Sequence, residues 1–125
     1  MVGKFIIVDT SSIIFGLSKK HDVFSALQER FPGYSLLISQ GILNEIKGIA
    51  SGNGRYAKYA KVALEIIKKN GDIDISGSRK YPDDWMLDNA YEGAIICTND
   101  SALKMKLKKE GAAVISISMN GVLRG

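Results

Sequence analysis

Short apolar runs that end abruptly in polar residues set the frame of this chain. Phe5-Ile6-Ile7-Val8 stops at Asp9-Thr10-Ser11-Ser12, and residues 4–8 therefore read as a buried strand followed by a turn. Tyr34 to Ser39 and Ala94 to Thr98 read the same way, and Ala113 to Ile117 supplies a closing strand. Asp72-Ile73-Asp74-Ile75 alternates instead, which predicts a short half-exposed strand.

Between these runs the apolar spacing lengthens to that of helices. Ser12 to Gly16, then Asp22 to Arg30, carries Val23, Phe24 and Leu27 on one face, with Asp22 placed to cap. Gln40 to Ile49 turns Ile42, Leu43 and Ile46 inward and leaves Glu45 on another side. Tyr56 to Lys69 is the strongest helix, with polar positions 58, 61, 65 and 68 opposite a broad apolar face. Pro82-Asp83-Asp84 predicts a helix start running through Trp85 and Ala90 to Gly93, and Ser101 to Glu110 a last helix stopped by Gly111. Strands alternating with helices predict an α/β fold, three-layer α/β/α with a central parallel sheet.

Composition narrows this to one domain over residues 1–125, since 125 residues at 46% hydrophobic and 24% charged suffice for a single core. No apolar run nears the roughly 20 residues that span a bilayer. Met1-Val2-Gly3-Lys4 leads into a strand-like run rather than a signal-peptide core, so a soluble cytoplasmic protein with no membrane partner is expected. Cys97 is the only cysteine and sits mid-strand, where packing is its expected role. His21, the only histidine, lies in a polar stretch and is expected on the surface. One of each argues against a zinc site of the usual His/Cys type.

Charge adds a second theme. The net +4 is modest, but Arg55, Lys58, Lys61, Lys68 and Lys69 crowd one segment and Lys104, Lys106, Lys108 and Lys109 another. Such faces hold a polyanion by its backbone, or are ordinary solvated helix surface. The acids sit apart from them. Asp9 and Asp100 each follow an otherwise apolar strand, where a carboxylate must be solvated, paired or metal-bound. Ligands of parallel α/β sheets gather at the carboxyl ends of strands, so these acids can converge. Mg²⁺ and Mn²⁺ are hard cations that take carboxylate oxygens and water without help from histidine or cysteine. The plainer roles are also open: Asp9 and Asp100 as helix caps, Asp83 and Asp84 as first-turn charges, Glu45 as a surface residue.

Taken in order, Ile-Val-Asp9-Thr10-Ser11-Ser12, Leu43-Asn44-Glu45-Ile46, Asp83-Asp84-Trp85-Met86-Leu87-Asp88-Asn89-Ala90 and Ile96-Cys97-Thr98-Asn99-Asp100 resemble the PIN domain. The order, spacing and length fit that family across nearly the whole chain. The resemblance implies a metal-dependent ribonuclease with Mg²⁺ or Mn²⁺ held by three or four acids on a parallel sheet. It assigns the catalytic and metal-binding roles to Asp9, Glu45, Asp83 and Asp100, with Asp84 competing for the place of Asp83. Ser11 or Thr10 resembles the hydroxyl partner of the first aspartate, and Thr98 the hydroxyl before the last. Asp88 is either a supporting acid or a solvent-facing one.

On that reading RNA is the substrate, and Lys58, Lys61, Lys68, Lys104, Lys106 and Lys108 gather it. The metal would activate water near neutral pH and stabilise charge on the cleaved phosphodiester. The glycine-rich Gly48 to Arg55 segment either touches phosphates or is a flexible connector. The third motif looks more like stand-alone archaeal PIN proteins and ribosomal-RNA-processing relatives than like many VapC-type toxins, so a ribosome-assembly partner, an antitoxin and a homodimer all stay open. A PIN-like RNA- or protein-binding module is the alternative. A haloacid-dehalogenase-type phosphatase needs an acid where Ser11 stands, and a receiver domain needs an acidic pair and a mid-chain phospho-acceptor that are missing.

Overall fold

The computed structural model describes residues 4–91 and 93–125; the Met1-Val2-Gly3 lead-in lies outside them. The elements run β1 (Phe5–Val8), α1 (Thr10–Ser18), α2 (Val23–Arg30), β2 (Ser35–Ser39), α3 (Gln40–Ser51) and α4 (Ala57–Lys69). They continue with β3 (Ile73–Ser76), α5 (Pro82–Asp88), β4 (Ala94–Cys97), α6 (Ser101–Lys109), β5 (Ala113–Ile117) and β6 (Leu123–Arg124).

The sheet order is β3-β2-β1-β4-β5-β6, parallel throughout except for the antiparallel β6. From β1 the chain steps outward to β2 and β3, and from β4 it steps the other way to β5. Right-handed crossovers then put α1 to α4 on one face and α5 with α6 on the other. Packing agrees, since α4 lies against α1 and α3 while α5 lies against α6. The strand order reverses between β1 and β4, and the crevice beyond their carboxyl ends is where such sheets take ligands.

Burial explains the sheet's register. Ile6, Ile7, Val8, Ile96 and Cys97 are fully buried, and Val8 stands opposite Cys97, so Asp9 and Thr98 leave the sheet side by side. Burial also pushes the Cys97 thiol up to about 12, which fits the expected packing role.

Departures from the sequence reading are local. The first helical segment is two helices, α1 and α2, split at Lys20, whose φ of 68° lies in the left-handed region. Asp22 caps α2 by accepting from the Phe24 and Ser25 amides at 2.9 and 3.4 Å. Helix α3 runs past Gly48 to Ser51, because buried Ile46 and Ala50 and partly buried Ile49 continue its apolar face and packing outweighs the glycine. Helix α5 ends at Asp88 rather than near Gly93, where the Asn89 side chain donates back to the Trp85 carbonyl at 2.7 Å. His21 is half-buried, its ring against Gly121, where a Cβ would fall 2.6 Å from Nδ1. Strand β6 is an addition that a two-residue run could not signal.

Candidate functional site

Asp9 is the N-cap residue of α1, yet its carboxylate makes no capping hydrogen bond. It accepts instead from the Ser11 hydroxyl at 2.7 Å and from the Thr98 hydroxyl at 2.8 Å, both at Oδ2. Ser11 and Thr98 lie 3.1 Å apart and complete a triangle across the β1–β4 boundary. The main chain is tied in as well: the Asn99 amide donates to the Ser11 hydroxyl at 2.9 Å and the Asp100 amide to that of Thr98 at 3.1 Å. Ser11 therefore fills the place the sequence left open between positions 10 and 11. Thr10 Oγ1 is the one buried side-chain polar atom among the described residues without a hydrogen-bond partner.

Asp9 is 6% exposed. Burial raises its pKa above the ordinary aspartate value, against the two hydroxyls that favour the charged form, and the nearby Glu45 carboxylate raises it further. Asp83 is also raised, by partial burial first and then by Asp9 and Asp100, while Lys106 opposes the shift. These couplings tie Asp9, Glu45, Asp83 and Asp100 into one acidic field fed by β1, α3, α5 and β4. Asp100 doubles as the cap of α6, its Oδ1 accepting from the Leu103 amide at 3.0 Å. Glu45 and Asp83 have no hydrogen-bond or ion-pair partner among the described residues and are free to turn.

A model of the PIN-like domain family matches residues 6–120. The chain belongs to the PIN-like domain family. No curated protein matches it. Among solved structures, this PIN-like domain is similar to the PIN domain endonuclease Utp24, with a TM-score of 0.75 at 24% identity over 96% of this chain and 89% of that one. It is also similar to a domain of a functionally unknown protein from Methanocaldococcus jannaschii DSM 2661, with a TM-score of 0.68 at 16% identity over 92% of this chain and 91% of that chain. These likenesses establish the three-layer fold with its mostly parallel sheet.

The remaining site residues of this PIN-like domain divide clearly. Asp84 is exposed and couples to Asp83, to Lys80 and to the phenol of Tyr81. Asp88 is exposed and pairs with Lys80. Lys58, Lys61 and Lys68 are exposed on α4, and Lys106 and Lys108 on α6, with Lys104 half-buried. Lys106 acts on an acid of the group, opposing the upward shift of Asp83.

Two residues at the site were not singled out by the sequence pattern. Asn99 clamps the β4–α6 turn to β5, its side chain donating to the Ile117 carbonyl at 2.8 Å and accepting from the Ile117 amide at 3.1 Å. Its position between Thr98 and Asp100 was the available signal. Tyr81 is exposed, and its phenol pKa is raised by Asp83 first, with Glu45, Asp84 and Asp100 adding to the shift. A lone tyrosine in a polar loop carries no such signal.

The donors suit a hard divalent cation, since every one is a carboxylate or hydroxyl oxygen. Among the described residues, no three His, Cys, Asp or Glu side chains are gathered closely enough to hold one ion as they lie. Asp9 is the fixed member, and Glu45 and Asp83 are the ones with rotational freedom. No helix among the described residues is long and apolar enough to cross a membrane.

The hydroxyl triangle makes a testable claim on stability. Thr98→Val keeps the shape but removes one donor to Asp9 and the acceptor of the Asp100 amide. A loss of about 1–3 kcal/mol is expected in urea unfolding, the cost of unsatisfied buried groups. A variant as stable as wild type would show that the network contributes little.

Proposed function

We propose that this chain is a metal-dependent nuclease that hydrolyses RNA phosphodiester bonds, with Mg²⁺ or Mn²⁺ held by Asp9, Glu45, Asp83 and Asp100. The observation that carries the reading is the Asp9 carboxylate. It is buried with no cationic partner among the described residues at the point where the strand order reverses, braced by two hydroxyls, and faced by Glu45 and Asp83, the latter in turn near Asp100. A purely structural residue would not accumulate uncompensated like charge there; a cation site does.

Bound metal supplies the chemistry that the side chains lack, lowering the pKa of water and stabilising charge on the phosphate. The chain itself does the rest. Ser11 and Thr98 fix the orientation of Asp9, Asp100 is steadied by its cap bond, and Asp83 rather than Asp84 is the third ligand because it is the more buried and couples to Asp9 and Asp100. The exposed lysines of α4 and α6 offset the repulsion between the acids and a polyanion. RNA is the substrate class implied by the resemblance to PIN nucleases. No side-chain nucleophile is needed.

The test is cleavage of a labelled mixed-sequence RNA, and of the matching DNA, with Mn²⁺, Mg²⁺ or EDTA. Asp100→Asn is the informative variant, because asparagine still caps α6. RNA cutting that needs metal and falls about 100-fold or more in Asp100→Asn supports the reading. The separation of the acids favours a second possibility, a PIN-like module that binds RNA or protein without cutting. Salt-sensitive RNA binding with no cleavage under any metal would establish the module and exclude the nuclease.

A further inference from the structure

Directly beside the Asp9 triangle lies a cavity of about 320 Å³, near the lower end of the range for small-ligand pockets. Ser11, which donates to Asp9, also forms part of its wall. The remaining walls are chiefly apolar and aromatic, with Ile14 and Phe15 from α1, Ile49 from α3, and Tyr56 just ahead of α4. Thr10, with its unpartnered buried hydroxyl, lines it too.

Two cations stand beside aromatic rings that line this apolar slot. The Arg55 guanidinium lies 4.9 Å from the Tyr56 ring centroid and donates to the Tyr56 hydroxyl at 2.8 Å. The Lys19 ammonium stands 5.9 Å from the Phe15 ring. Among the described residues, no carboxylate lines the cavity. Aromatic rings beside positive charge are how proteins hold single-stranded nucleic acid, with bases stacked on the rings and phosphates tracked by the cations.

The geometry points to this cavity as a subsite for one unpaired nucleobase of the strand being cut, with Tyr56 as its stacking surface and Arg55 on the adjoining phosphate. The inference rests on the RNA reading above and goes beyond it by assigning a base-binding position. Its volume suits one planar ring system rather than a helix of a protein partner, and the Arg55 and Lys19 charges beside its rings suit a chain of phosphates. Because Ser11 belongs to both sites, a base held here keeps its own backbone next to the acids. The fold thereby selects single strands, since a paired base is stacked within its duplex and unavailable. The segment before α4, read from sequence as either a phosphate contact or a connector, gains a specific role through Arg55 and Tyr56.

The experiment measures binding of a short labelled single-stranded RNA in EDTA, so that affinity is read without cleavage, beside the same strand bearing abasic sites. Wild-type, Tyr56→Ala and Tyr56→Phe proteins are compared, with thermal melts confirming that each is folded. Expected is about tenfold weaker binding of the intact strand by Tyr56→Ala, equivalent to about 1.4 kcal/mol. Tyr56→Phe should bind within about twofold of wild type, and the abasic strand should bind weakly and equally to all three. Equal affinity of wild type and Tyr56→Ala for the intact strand overturns the subsite, as does an equal loss on the abasic strand. A protein side chain as the true occupant would give the first of these results.

Cleavage assays separate the two readings. Metal-dependent cutting with an unchanged KM in Tyr56→Ala removes the subsite and leaves the nuclease. Base-dependent binding without cutting removes the nuclease and leaves the subsite. RNA binding by no form removes both.

Discussion

Asp9→Asn is expected to lower RNA cleavage by on the order of 10³-fold, equivalent to about 4 kcal/mol of transition-state stabilisation, while leaving the protein at least as heat-stable as wild type. Asparagine fits the same space, and its carbonyl oxygen can take the Ser11 and Thr98 hydroxyls, so the triangle survives. What disappears is a buried negative charge facing Glu45 and Asp83.

The pH dependence follows from the upward shift of the Asp9 pKa. Below the ordinary aspartate value, folded and unfolded chains both hold the proton and Asp9 contributes nothing. As pH rises through that value the unfolded chain ionises first and is favoured, so the native state loses stability until its own Asp9 ionises. The loss then persists at neutral pH. The melting temperature of Asp9→Asn should therefore match wild type in acid and exceed it increasingly as pH rises through and above the ordinary aspartate value. A fall in melting temperature of more than about 5 °C at neutral pH would show that the carboxylate is structural. Cleavage retained at above a tenth of the wild-type rate would remove it from the catalytic group. Inactive and more stable is the signature of a residue kept for function at the expense of stability.

The second large effect concerns backbone rather than charge. A Cβ at Gly41 would lie 2.6 Å from the Lys80 carbonyl oxygen, and the Gly41 amide donates to the Ser78 carbonyl at 3.1 Å. The loop leading to α5, which carries Asp83, is thus pressed onto the start of α3, which carries Glu45. Gly41→Ala should cost about 1–3 kcal/mol through overpacking and slow cleavage by about 10- to 100-fold, because small displacements of a positioned group are costly. Gly48→Ala is the control in the same helix, with nothing within 4 Å of its Cβ. There the substitution should stabilise by about 0.5–1 kcal/mol, the helix preference for alanine over glycine, and leave the rate unchanged. Urea unfolding of the two variants should move in opposite directions. Movement in the same direction would show that the Lys80 carbonyl yields without cost.

The contrast between these glycines shows where the sequence is legible. Strands β1, β2 and β4 are plain because unbroken apolar runs end at polar residues, and the strand-end acids follow from that alone. Glu45 became visible as a candidate only through the order of the motifs, since nothing local separates it from other helix-surface glutamates. Choosing Ser11 over Thr10 needed the spatial partner Thr98, 87 residues away. The close approach at Gly41 depends on a loop nearly 40 positions downstream, and β6 depends on a neighbour to pair with. Asp88 illustrates the same limit, as its pairing with Lys80 is set by how the loop before α5 folds back. Local pattern reveals which groups are present; long-range packing decides which of them meet.

The Asn99 clamp on Ile117 has a consequence for when the protein becomes competent during its synthesis. Thr98 reaches Asp9 only when β4 lies beside β1, and the turn that carries Asn99 and Asp100 is held by the last long strand, through Ile115 and Ile117. A nascent chain still lacking those residues has its first aspartate but not the frame that orients it. The acids are framed only after β5 has joined the sheet beside β4, so the acidic group forms with the long-range assembly of the sheet and not with β1 alone.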